Sequence, residues 1–281
     1  MRIAVFGATG FIGKHLVESL RSRGDEVVTA SLRDPTQAAR AAAQCDVAVN
    51  LAGETLAQRW NADVKRRIVE SRTRAPSAFF DALREQQSRP AAFVSASAIG
   101  YYGTSETETF TESSPPGNDF LASVCVQWEQ AAQRGSELGM RVTCVRTGLV
   151  LGADGGALAK LLPLFKAGTG GRVGSGRQWY SWIHIDDAIG VYRMAIDGAA
   201  GVLNATAPNP VRNAEFSSIL GKTLRRPASL PAPPFMLKLA LGEGAVLVLE
   251  GQRVLPERTQ AEGYSFRFPE LEAALEDIVH V

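Results

Sequence analysis

The residues with the plainest chemical meaning stand at the start of the chain, in Gly7-Ala8-Thr9-Gly10-Phe11-Ile12-Gly13. Binding a pyrophosphate calls for a tight turn after a strand and close approach of the anion to the backbone. It also calls for a helix whose amide-rich amino terminus faces the charge. Gly7, Gly10 and Gly13 suit those needs, with Thr9, Phe11 and Ile12 completing the expected lining. A second group lies in Phe93-Val94-Ser95-Ala96-Ser97-Ala98-Ile99-Gly100-Tyr101-Tyr102-Gly103. There the Ser97 hydroxyl could hold a reacting oxygen, and Tyr101 or Tyr102 could present a phenol from the turn after Gly100. A strand-end serine that only caps backbone is the alternative for Ser97.

These residues need a scaffold that brings strand ends together. Apolar, β-branched runs at Arg2–Phe6, Glu26–Ala30, Val47–Leu51, Ala91–Ala96 and Arg141–Val145 read as strands, and Gly201–Ala205 as a further one. Helical spacing recurs between them, notably over Asn61–Gln86 and Phe120–Leu138. Alternating strands and helices imply right-handed crossovers and a parallel sheet covered on both faces. Past residue 150 glycine becomes dense, a proline-rich stretch follows at Pro227–Pro234, and helices are expected near Phe235–Glu250 and Leu271–Val279.

The GxxGxxG spacing resembles the short-chain dehydrogenase/reductase superfamily, and FGATGFIG its extended, sugar-epimerase-like branch. Asn50-Leu51-Ala52-Gly53 resembles the NxAG element beside the adenine, so Leu51, Ala52 and Gly53 are expected under a cofactor. Glu54 contacts ribose or substrate, or serves as a helix-start carboxylate. The second strand ends in Ser31-Leu32-Arg33-Asp34, without a carboxylate at its tip. Ser31 and Arg33 therefore point to NADP (NADPH) rather than NAD, because a guanidinium suits a 2′-phosphate. Pairing of Arg33 with Asp34 is the competing reading. Ser95, Arg72 and Arg146 are expected on the cofactor as well, Arg146 in the RTGLVLG segment that resembles the strand passing the nicotinamide.

In the superfamily the acid/base is a Tyr with a Lys four residues later. Four residues beyond Tyr101, Tyr102, Tyr180, Tyr192 and Tyr264 lie Ser105, Glu106, His184, Ile196 and Phe268. None is lysine. Registering Glu129 on the acidic residue of that helix puts Leu121 at the Tyr position and Cys125 at the Lys position. Trp182-Ile183-His184-Ile185-Asp186-Asp187 resembles the extended branch's FIHVDD element. His184 is expected to orient the chain, and Asp186 and Asp187 to cap the next helix. Arg177, Trp179 and Trp182 suit a pocket lip or core packing.

Together with the closing LEGQRVLPERTQAEGYSFRFPELEAALEDIV, these blocks resemble the atypical extended short-chain dehydrogenase/reductases known as nucleoside-diphosphate-sugar epimerase-like proteins, also described as SulA-type cell-division-inhibitor homologues. The resemblance implies a Rossmann doubly wound parallel sheet with a small carboxyl-terminal substrate lobe. Residues 1–150 would form the NADP-binding domain, its sheet completed from within 182–206, and residues 151–281 mainly the lobe. It implies an oxidoreductase or epimerase lacking the Tyr/Lys pair, acting on a small molecule such as a sugar nucleotide or carbonyl compound. A non-catalytic NADP-binding sensor or regulatory protein is the alternative.

Composition narrows the rest. Thirty Lys+Arg against 29 Asp+Glu give a net charge of +1, no electrostatic basis for a nucleic-acid or membrane partner. Cys45, Cys125 and Cys144 are too scattered for disulfides or a metal site, so no metal is expected. Lys238 and Glu243 interrupt the most apolar late stretch, and Met1-Arg2 leads directly into a strand, so a cytoplasmic location is expected. Oligomeric state has no signature here.

Overall fold

Ile3–Phe6 is apolar at every position, the pattern of a strand covered on both faces. In the computed structural model, which describes residues 1–280, this run is β1 (Arg2–Phe6). There follow α1 (Phe11–Ser22), β2 (Glu26–Ala30), α2 (Pro35–Ala42), β3 (Val47–Asn50), α3 (Ala62–Arg84), β4 (Ala92–Ala98) and β5 (Thr109–Phe110). Next come α4 (Phe120–Glu137), β6 (Arg141–Thr147), β7 (Leu149–Gly152), α5 (Gly156–Lys166), β8 (Trp179–Tyr180), β9 (Trp182–His184) and α6 (Ile185–Asp197). The chain continues through β10 (Gly201–Ala205), β11 (Val211–Arg212), α7 (Asn213–Thr223), α8 (Pro234–Leu241), α9 (Val246–Leu249), β12 (Arg253–Val254), α10 (Glu257–Ala261) and α11 (Leu271–His280).

Six parallel strands form the central sheet in the order β10-β6-β4-β3-β1-β2. Side chains alternate between its faces. Ile3, Val5, Val49, Val94 and Val145 meet α1 and α6, whereas Ala4, Phe6, Ala48 and Phe93 meet α2, α3 and α4. The α/β doubly wound fold expected from the sequence is therefore present. Its order reverses between β1 and β3, and ligands of open α/β sheets bind beyond the carboxyl ends of strands at such a reversal. Register places Phe6 beside both Ala30 and Asn50, and Ser97 beside Arg146, so the candidate residues share one edge. Because β2 is the edge strand, the loop carrying Arg33 opens at the side of the sheet.

A third apolar cluster joins Leu151, Leu158, Phe165, Trp182, Phe216, Leu220, Leu271 and Leu275. The helix expected over Phe235–Glu250 is broken: α8 stops at Gly242, whose φ of 60° lies in the left-handed region, and α9 begins at Val246. The crossover helix expected between the second and third strands is α2, and Asp34 and Pro35 carry its start signal, a carboxylate cap followed by proline at the first helical position. No helix among the described residues is long and apolar enough to cross a membrane.

Candidate functional site

The turn after β1 is built by three glycines with three different duties. Gly7 has φ +81°, and a Cβ there would lie 2.7 Å from the Leu51 carbonyl carbon. A Cβ on Gly13 would lie 2.1 Å from Gly7 O, so only glycine lets α1 pack on the turn. Gly10 is exposed and donates its N–H to Gly7 O at 3.1 Å. A Cβ on Gly10 would meet no protein atom closer than 3.3 Å. Packing thus requires Gly7 and Gly13, whereas Gly10 is exposed and a Cβ there would meet only Gly7 O. No side chain caps α1, which leaves its first amides free for an anion. Thr9 is exposed, and Ile12 packs partly buried on the core. The Phe11 ring packs under Gly152, Gly155 and Gly156, while Asp154 takes His15 at 3.1 Å and an ion pair from Lys14. That loop is thereby fastened beside the start of α1.

At the β2 edge, the Asp34 carboxylate accepts from Gln37 N at 3.0 Å and caps α2. Pairing of Asp34 with Arg33 is not observed. Arg33 is exposed and has no ion-pair partner among the described residues; its N–H donates to Ser31 Oγ at 3.2 Å. Beyond β3, Leu51 and Ala52 are half-buried and Gly53 is exposed. Arg72 reaches under this loop from α3. It donates to Glu54 O at 3.1 Å and Ile68 O at 3.2 Å, and its guanidinium would stand 3.1 Å from a Cβ on Gly53. Burial holds its pKa down, and no carboxylate pairs with it among the described residues. Glu54 does not start a helix, a correction to that alternative: Asn61 caps α3 instead, through Val64 N at 2.9 Å. The Glu54 carboxyl is pulled down by a hydrogen bond from Gln58.

At the tip of β4 the hydroxyl of Ser97 is buried in a charged network. It donates to Glu129 Oε1 at 2.6 Å, and Arg146 donates to both Glu129 oxygens at 2.8 Å. Arg146 also donates to the Tyr102 hydroxyl at 3.0 Å, which donates in turn to Asn204 Oδ1 at 2.7 Å. Burial alone would weaken the charge on Arg146, yet the Glu129 partner raises its pKa. All the polar contacts of this guanidinium are thus made inside the protein, so it acts on the site through Glu129 and Ser97. Burial pushes the Tyr102 phenol up to about 12, so it stays neutral. Tyr101 differs: its half-buried ring lies 3.3 Å from the Arg146 guanidinium, and no hydrogen bond engages its hydroxyl among the described residues. Ser95 is buried one pleat earlier and donates to Ala96 O at 3.0 Å.

The face of α4 turned to this loop carries Leu121 and Cys125, whose Cβ and Sγ would lie 3.3 and 3.8 Å from a Cβ on Gly100. Burial pushes the Cys125 thiol up to about 12, so it is neutral as well. No phenol or ammonium occupies those two places. In the sequence Glu129 served only as a register mark, and Asn204 and Glu112 went unnoticed. Glu112 accepts from Asn204 N, Thr259 N and Arg258 N, tying α10 to β10. Nothing local in the sequence announces contacts made across 92 and 146 residues.

Three other sets of residues can be placed as well. Helix capping falls to His184, whose Nδ1 accepts from Asp186 N at 3.1 Å, and not to Asp186 or Asp187. Asp187 is buried and instead accepts from Tyr264, Arg267 N and Phe268 N. Trp182 is fully buried, with its indole N–H on Asn209 O, so it is core and not lip. Arg177 and Trp179 bind the Glu106 carboxylate and carbonyl, at 2.8 and 3.0 Å, and fasten that loop to β8 and the residues before it. The three cysteines are free and buried, and no cluster of metal-binding side chains occurs among the described residues.

Comparison with known proteins places this geometry in context. Residues 3–205 match the NAD dependent epimerase/dehydratase family, and residues 232–278 match a domain of unknown function, DUF1731. Epimerase family protein SDR39U1 homolog, chloroplastic, from Arabidopsis thaliana is 42% identical, covering 99% of this chain and 87% of that protein. Epimerase family protein YfhF from Bacillus subtilis is 36% identical over 99% of this chain and 98% of its own length. The crystal structure of human epimerase family protein SDR39U1 (isoform 2) with NADPH superposes with a TM-score of 0.93 at 37% identity, covering 100% of this chain and 99% of that one. UDP-glucose 4-epimerase from Thermotoga maritima, solved with UDP-glucose, has a TM-score of 0.82 at 17% identity over 100% and 98% of the two chains, a likeness of fold.

Proposed function

The chain belongs to the NAD dependent epimerase/dehydratase family, and from that membership we propose that it binds NADPH and works as an atypical short-chain dehydrogenase/reductase on a small hydroxyl or carbonyl compound, sugar nucleotides included. The observation that carries this reading is the glycine turn: packing takes up Gly7 and Gly13 and leaves Gly10 exposed, before uncapped α1 amides. Two cations without carboxylate partners fit the rest of the cofactor. Arg33 suits a 2′-phosphate beside Ser31, and Arg72 suits an anion near Gly53. NADPH in the human relative supports the same choice.

When bound, the nicotinamide supplies hydride exchange with a substrate carbon. The chain's own part is to hold the reacting oxygen. Because the one proton of Ser97 is directed at Glu129, its oxygen lone pairs face a ligand as acceptors. The Tyr101 hydroxyl is free to donate, and Tyr102 serves to position Arg146. Leu121 and Cys125 favour a second reading, a protein that keeps NADPH as a sensor or regulator without turnover. Titration with NADPH, followed by a hydride-transfer screen over carbonyl compounds and sugar nucleotides, separates the two. Binding with turnover is expected; binding alone favours the sensor, and absence of binding overturns both.

A further inference from the structure

Around α7 lies a hollow of about 570 Å³, lined by residues 172, 214, 217, 218, 221, 222 and 225–229 and none from the sheet's ligand edge. We propose that it is a binding site for a compact, multiply charged phosphate, a diphosphate being the best match. Its lining includes Arg172, Lys222, Arg225 and Arg226 and no Asp or Glu. None of these four forms an ion pair among the described residues. All four are exposed, and a hollow lined by four cations and no carboxylate carries a positive potential that attracts an anion.

Two further observations point the same way. Ser217 is 3% exposed, and its hydroxyl has no hydrogen-bond partner among the described residues, although it lines the hollow. A helical serine ordinarily satisfies itself on the carbonyl one turn back, and the Ser217 hydroxyl does not. An anion oxygen would complete it. The second observation is Arg225. The end of α7 closes with Arg225 N on Lys222 O and Arg226 N on Gly221 O, both 2.9 Å, the pattern whose left-handed residue is normally glycine. Here that residue is arginine at φ 54°, the one positive-φ non-glycine among the described residues. The negative end of the α7 dipole accounts for a cation such as Lys222. It does not account for Arg172, delivered by the Gly171–Ser229 bridge, or for the unpartnered Ser217.

The test is titration calorimetry of NADPH-saturated protein with inorganic pyrophosphate, inorganic phosphate and chloride at matched ionic strength, so that the glycine turn is filled beforehand. Saturable 1:1 binding of pyrophosphate is expected, tighter than that of phosphate, with no heat from chloride. Arg225→Gly removes the guanidinium where the backbone prefers glycine, so the fold is kept, and it should weaken pyrophosphate by about tenfold. Ser217→Ala should weaken it less, and NADPH affinity should not change in either variant. No saturable binding, equal affinity for all three anions, or unchanged pyrophosphate affinity in both Arg225→Gly and Lys222→Ala would overturn the assignment. None of these outcomes bears on whether NADPH binds or turns over.

Discussion

Ser97 Oγ donates to Glu129 Oε1 at 2.6 Å, across 32 residues of sequence, and Arg146 grips the same carboxylate with two hydrogen bonds. A serine so committed has no proton left to give a ligand, and under the proposed function it would act as an acceptor. That suits a substrate hydroxyl, and it leaves Tyr101 as the free donor at this edge.

Glu129 and Arg146 are 12% and 4% exposed at their side chains, so removing one partner strands a buried charge. Glu129→Ala should cost about 3–5 kcal/mol of unfolding free energy, against about 1 kcal/mol for Ser97→Ala. Urea denaturation of the two variants measures this; equal losses would mean that the ion pair does not anchor the network.

The division of labour among the glycines predicts opposite phenotypes. Gly13→Ala should destabilise the protein by about 1–3 kcal/mol, because its Cβ has nowhere to go beside Gly7 O. Gly10→Val should cost less stability than Gly13→Ala and abolish NADPH binding. Thermal melts with and without NADPH compare them.

Arg33→Ala should weaken NADPH by about tenfold or more, the size of a lost charge-assisted hydrogen bond. NADH, lacking the 2′-phosphate, should be nearly unaffected. Parallel fluorescence titrations decide it, and similar losses for both cofactors would remove Arg33 from this role.

Tyr102 has its phenol pKa raised by burial from 10.0 to about 12. A raised pKa means the folded state holds the proton more tightly. Its stability is full below pH 10, where the unfolded phenol begins to ionise, and is lost as pH rises toward 12. The loss should be about 2–3 kcal/mol. Tyr102→Phe should cost about 1–2 kcal/mol near neutrality, through Asn204 and Arg146, and should make the alkaline fall shallower, the rest of it coming from Tyr180, Tyr192 and Tyr264, whose phenols burial also pushes up. Urea midpoints across that range, with tyrosinate absorbance, report both.

Much of this protein was legible in the chain itself. The strand–glycine turn–helix unit, the sheet strands and the lack of a lysine four residues after any tyrosine all follow from patterns within one or two turns of sequence. Hydrophobic period, glycine spacing and helix register are local, so composition and order express them directly. Other features depended on which elements pack together. Only tertiary structure placed Glu129 under Ser97, because β4 and β6 lie side by side and α4 covers them. Only it engaged Tyr102 and left Tyr101 free, made Asp34 a cap, and buried Asp187 against residues 264–268. A side chain's partner is set by packing between segments far apart in sequence. A sequence therefore names the groups able to do chemistry, and packing decides which of them remain free to do it.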